Sequence, residues 1–120
     1  MMQFVLVVHH GTYPLPGTPG AETISMEDAK AARADWAVVS SMANVTGGPP
    51  LGLPKDATTV RVENGSTVRT EGPFLDATSA VGGFLTVEAE DLAAAVAIAA
   101  QIPQARLGGA VEVRKIAKYW

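Results

Sequence analysis

The sequence predicts an α+β domain in which two helices cover one face of an antiparallel sheet and a hairpin is added between them. Three observations predict it. Apolar β-branched runs alternate along the chain with two stretches of helical periodicity. An Asn-Gly pair, Asn64-Gly65, stands between two short strand-like runs. The order of these signals is strand, helix, strand, hairpin, strand, helix, strand.

Phe4 to His9 is apolar on both sides of a strand, and Gly11 and Pro14 close it. Gly11 to Gly20 holds three Pro and three Gly and is read as a loop, placed to overhang a pocket at the strand end. Ser25 has the chemistry of a helix N-cap for the Asp28 N–H, and Glu27 and Asp28 suit the positive end of the helix dipole. Ala29, Ala32, Trp36, Val39 and Ala43 then fall on one helical face, with Trp36 as its anchor. Asn44 and Gly47-Gly48 are expected to stop it. A short edge strand is expected near residues 46–51.

Thr58 to Glu63 and Ser66 to Thr70 form the arms around Asn64-Gly65, where both turn residues favour positive φ. Glu71-Gly72-Pro73-Phe74 ends the second arm as a corner, with Phe74 expected to plug the core. Gly82 to Glu88 is the next strand. Asp91 or Glu90 caps the second helix, and Leu92, Ala95, Val96, Ala99 and Ile102 are expected to face the core before Pro103 ends it. Ala110 to Ile116 is the last strand. Helices that split the strands in this way imply a ferredoxin-like βαββαβ sheet with both helices on one face and an extra β-hairpin.

The chain has 120 residues, which fits one domain over residues 1–120. Its net charge is -3, with nine Lys and Arg scattered along it, so no basic face for nucleic acid is expected. Arg114, Lys115 and Lys118 read as solvated charges of an edge strand. With no cysteine, disulfides, thiolate metal sites and a Cys nucleophile are excluded. The apolar stretch Leu92 to Ala100 is far short of the ~20 residues a membrane span needs. A cytoplasmic protein with no membrane partner is expected.

Two helices cover one sheet face, yet the first strand and the Phe84 strand are apolar on both. A homodimer, sheet face against sheet face, is therefore expected to cover the second.

Ala57-Thr58-Thr59-Val60-Arg61-Val62, Asn64-Gly65, Thr70-Glu71-Gly72-Pro73-Phe74, Gly82-Gly83-Phe84, Asp91 to Ala95, Ile102-Pro103 and Gly109 to Arg114 stand in the order and spacing of one family. Over residues 3 to about 114 the chain resembles the YCII-related family, in its DGPF branch. The resemblance implies a dimeric α+β barrel of ferredoxin-like units, often of unknown activity and in some cases encoded beside or joined to sigma-factor-like regulators. Relatives imply a His and Asp pocket, with a dehalogenase-like or muconolactone-type member as a loose guide. The Asp of the branch motif is Glu71 here, one methylene longer.

His9 and His10 are the only histidines. Adjacent on a strand, they point to opposite faces and cannot chelate one ion together, so no metal and no cofactor is expected. His9 shares parity with Val5 and Val7. With Glu71 it forms the expected acid/base pair, and His10 and Asp76 are the weaker candidates. Arg61 and Arg69 on the hairpin arms, with Phe74, are candidate ligand contacts. Each has a structural reading beside the chemical one: a solvated strand-end histidine, a corner, cross-strand charges. Gly82-Gly83 precedes a strand and Gly108-Gly109 follows a helix, so neither opens a phosphate-binding helix. No Gly-x-Ser-x-Gly elbow is present.

These features lead to a cofactor-independent small-molecule enzyme or binder with a His/carboxylate pocket. Two other readings remain open. One is a non-catalytic dimeric interaction module for a transcription regulator, acting through a sheet edge or Tyr119 and Trp120. The other is a barrel that oxygenates quinols or other aromatics.

Overall fold

A computed structural model describes residues 1–13, 24–48, 51–76 and 79–117. The elements are β1 (Met2–His9), α1 (Met26–Ser41), β2 (Val45–Gly47), β3 (Thr58–Glu63), β4 (Ser66–Glu71), β5 (Val81–Ala89), α2 (Leu92–Ala99) and β6 (Ala110–Lys115). Four strands form an antiparallel sheet in the order β2-β5-β1-β6, and β3 and β4 form a separate two-stranded sheet. This is the ferredoxin-like α+β arrangement with an inserted hairpin that the sequence predicts.

Alternation along β1 divides the sheet into two faces. Phe4, Leu6 and Val8 are buried with Leu85, Val87 and Ala89 of β5, under Val39 of α1 and Ala95, Ile98 and Ala99 of α2. The other side of β1, with Val5, Val7 and His9, is half-buried, and Phe84 beside it is exposed. No described helix lies on that face, and the molecule is a slab of 44 × 44 × 18 Å.

The local signals act where they stand. The Ser25 hydroxyl accepts the Asp28 N–H at 3.0 Å, and Asp91 Oδ1 accepts the Ala94 N–H at 2.8 Å. Asn64 and Gly65 take φ of 51° and 77°, the double left-handed turn that matches the twist of a two-residue hairpin. Asn44 docks on β5, donating from Nδ2 to the Glu88 carbonyl while its own carbonyl accepts the Glu88 N–H.

Four local expectations are corrected. Helix α1 ends at Ser41, before Asn44, because Met42 turns to extended backbone; Met42 takes the core contact expected of Ala43, which is exposed. The edge strand is Val45–Gly47 and stops there. A Cβ at Gly48, whose φ is 122°, would overlap the Phe84 carbonyl. In the second helical stretch, Ala95, Ile98, Ala99 and Ile102 form the buried stripe, and Leu92 and Val96 are exposed. Packing on the sheet decides which side of this short helix is buried, because its nearly uniform Ala/Val/Leu/Ile composition gives the sequence no polar side to set against it. Phe74 is 71% exposed and does not plug the core.

Candidate active site at the end of β1

The ladder between β1 and β5 shifts at its end: Val8 stands opposite Gly83 and His9 opposite Val81, leaving Gly82 as the extra residue of a bulge. A Cβ at Gly82 would overlap the His10 ring. The bulge thus makes room for one histidine while the other turns to the opposite face.

His9 lies on the open face. Its Nε2 is 3.1 Å from Glu112 Oε1 on β6, and the other oxygen of Glu112 is 3.7 Å from Arg114 Nε. Parity explains the meeting. Val7 is paired with Glu112 and His9 with Ala110, so Glu112 lies on the same side as His9, one step along the ladder. The structure therefore gives His9 the carboxylate of Glu112, not that of Glu71. Glu71 ends β4 opposite Thr58, is exposed, and has no side-chain hydrogen bond or ion pair among the described residues. The signal for Glu112 was the alternation of Val111 and Val113 with Glu112 and Arg114, but nothing in it names β1 as the neighbour.

His10 faces the helices and is 6% exposed. Its N–H donates to the Ala80 carbonyl at 3.1 Å, and its Nδ1 has no hydrogen-bond partner. Burial pushes its pKa below the usual histidine range and keeps the ring neutral. Nearby, Gln104 is buried with its Oε1 also unpartnered, a residue the sequence did not single out. Burial raises the Tyr13 hydroxyl pKa, opposed in part by the charge of Arg106, which itself pairs with Asp35 of α1 at 2.6 Å. Glycines close this corner: Gly11 and Gly108 have positive φ, and Gly11 packs against the Gly108 carbonyl that accepts the Thr12 N–H.

A cavity of about 450 Å³ opens beside this strand end. Its walls are the 51–57 segment before the hairpin, Pro73, Phe74 and Leu75 after it, and Ala80 and Val81, the residue before β5 and the first residue of β5. Most of the lining is apolar, with Asp56 as a carboxylate at its wall. Of the candidates from sequence, Phe74 lines it; neither histidine nor Glu71 is among its described lining. Arg61 places its guanidinium 5.9 Å from the centre of the Phe74 ring and its Nε 3.8 Å from Glu63. Asp76 Oδ1 accepts the Ser79 N–H at 3.1 Å, and its carbonyl accepts the same group. Arg69 is exposed and in no ion pair among the described residues. The corner at Gly72 has φ of 99°, and the Gly72 N–H closes the hairpin base on the Ala57 carbonyl at 2.7 Å. Most of the Pro-rich loop expected at the rim, and Tyr119 and Trp120, lie outside the described residues.

Among the described residues no three His, Asp or Glu side chains converge as metal ligands. No described helix is long and apolar enough to cross a membrane.

Three solved chains match this one. One is the 5-chloro-2-hydroxyhydroquinone dehydrochlorinase TftG from Burkholderia phenoliruptrix AC1100, in complex with 2,5-dihydroxybenzoquinone. It is 19% identical, with a TM-score of 0.48 over 97% of this chain and 94% of that one. No curated protein matches. The model of the YCII-related domain matches residues 16–119, nearly the whole length, and the chain belongs to the YCII-related domain family.

Proposed function

We propose that this protein is a small-molecule enzyme or binder that works as a homodimer, with His9 and Glu112 as its proton-transfer pair. The observation that carries this reading is the register at the end of β1. Val81, a wall of the cavity, stands directly opposite His9 in the ladder. Directly opposed residues share a face, with Cβ atoms about 5 Å apart. The cavity and the His9–Glu112 pair thus lie at the same strand end, with Val81 between them.

The apolar lining and the volume suit a compact, mainly apolar molecule, with Phe74 offering a ring face for stacking. A polar, proton-bearing group of that molecule is directed toward His9. Neutral His9 accepts the proton, and the Glu112 carboxylate stabilises the imidazolium that forms. When the proton returns to another atom of the ligand, the reaction is an isomerisation. When the electron pair of the broken bond to hydrogen instead expels a neighbouring group, which departs with its own bonding pair and takes up the proton, it is an elimination. Neither needs an oxidant.

A thermal-shift screen of apolar and aromatic metabolites tests this, run on wild type beside Phe74→Ala, His9→Ala and Glu112→Gln. A ligand at 100 times its Kd stabilises by about 2.7 kcal/mol. A hit weakened by Phe74→Ala and not turned over by the His9 and Glu112 variants is expected. A hit indifferent to all three, or no hit with every variant folded, would remove the support for this reading.

A further inference from the structure

Among the described residues that line the cavity, Asp56 is the one polar side chain. Its backbone fixes it there. Asp56 closes a single helical turn that Pro54 opens: its own N–H donates to the Leu53 carbonyl at 3.0 Å, and the Ala57 N–H donates to the Pro54 carbonyl at 3.0 Å. The Pro54 ring holds φ at the start of this turn. The hairpin base then ties the turn down. The Gly72 N–H donates to the Ala57 carbonyl at 2.7 Å, and the Thr59 hydroxyl donates to the Gly72 carbonyl at 2.7 Å. The carboxylate therefore stands on short, cross-tied backbone.

No described residue neutralises it. Asp56 is in no ion pair among the described residues, and neither is Lys55 beside it. Glu71 stands just before Gly72-Pro73 and Asp76 just after Leu75, so the chain at these walls carries more carboxylate than the single Lys55 offsets. Arg61 lies against the Phe74 ring, 5.9 Å from its centre, but outside the described lining and with Glu63 at 3.8 Å as its own counter-charge. The ring of Phe74 thus already attracts a cation to one face.

Of the ligands that fit an apolar cavity of about 450 Å³, charge selects one class. An anion is repelled by Asp56, Glu71 and Asp76. A neutral molecule displaces water from Asp56 and gives the carboxylate no partner in return. A cation gains a charge-assisted hydrogen bond at Asp56 and the π face of Phe74, in a cleft whose apolar walls focus the negative field. The apolar lining requires that charge to be a single group on an apolar body.

We infer that the ligand of this cavity is a compact amine: an ammonium group that donates to the Asp56 carboxylate, carried on an apolar body that packs against Phe74 and Leu53. The inference rests on the small-molecule reading above and names the chemical class that its cavity takes.

Probes of similar shape and different charge test it: phenethylamine, phenethyl alcohol and hydrocinnamate, titrated into the full chain and followed by NMR chemical shifts at low and at physiological salt. The amine binds about fivefold or more tighter than the alcohol, the carboxylate is weakest, and the gap narrows as salt rises. Asp56→Asn brings the amine and the alcohol together. Asp56→Lys makes the carboxylate the tightest of the set, and Phe74→Ala weakens every probe, with circular dichroism as the folding control. Equal binding of amine and alcohol to wild type, or a ranking that survives Asp56→Asn, overturns the amine assignment and leaves the cavity as a site for neutral apolar molecules. Affinities that Phe74→Ala does not change put the ammonium on the outer surface and overturn it as well. No binding of any probe to folded wild type overturns the inference together with the cavity reading on which it rests.

Discussion

His9 and Glu112, 103 residues apart in the chain, bring Nε2 and Oε1 to 3.1 Å on the open face of the sheet. Neither strand is special in composition. Their meeting follows from β6 lying beside β1 and from both side chains having the same parity. Once a ligand is found to be converted, His9→Gln and Glu112→Gln are expected to lower turnover by about 100-fold or more, the scale of a lost general base. Glu71→Gln is expected to leave turnover nearly unchanged. An equal loss in Glu71→Gln would return the acid/base role to that residue.

Gly82→Ala places a methyl group against the ring of His10, which is buried. Overpacking of this kind costs about 1–3 kcal/mol. The melting temperature should fall by several degrees, and His10→Ala in the same chain should recover part of the loss. A variant as stable as wild type would mean that the ring moves aside freely.

The burial of His10 predicts a pH dependence. Its folded-state pKa is lowered, so at pH values between that lowered value and the ordinary value of about 6.5 the unfolded chain binds a proton that the native one does not. Stability then rises with pH, is complete above the ordinary value, and is lost as the pH falls below it. The slope is at most about 1.4 kcal/mol per pH unit. Denaturant unfolding between neutral and mildly acid pH should show this slope in wild type and a shallower one in His10→Asn. Equal slopes would sink the assignment.

Asp91→Ala removes the acceptor of the Ala94 N–H at the start of α2. The expected loss is about 1 kcal/mol, and Asp91→Asn should retain most of the stability. Chemical denaturation with both variants measures it. No loss in Asp91→Ala would show that the tertiary contacts of Ala95 and Ile98 alone hold the helix start.

Features that depend on a few consecutive residues were legible in the sequence. Ser25 and Asp91 cap helices because a short polar side chain reaches the backbone N–H three residues on. Asn64-Gly65 makes the hairpin because both residues tolerate positive φ. The alternation of β1 separates His9 from His10 because strand side chains point to opposite faces. What the tertiary structure alone decided is neighbourhood. Alternation assigns Glu112 to a face but names no strand beside it, and Phe74 carries the same apolar signal whether it fills a core or lines a cavity. Helical spacing put Leu92 and Val96 in the core stripe of the second helix, and packing buried Ile98 in their place. Local chemistry is written along the chain, whereas the pairing of β1 with β6 is the lowest free energy of a whole sheet, and the His9–Glu112 contact exists only once that sheet has formed.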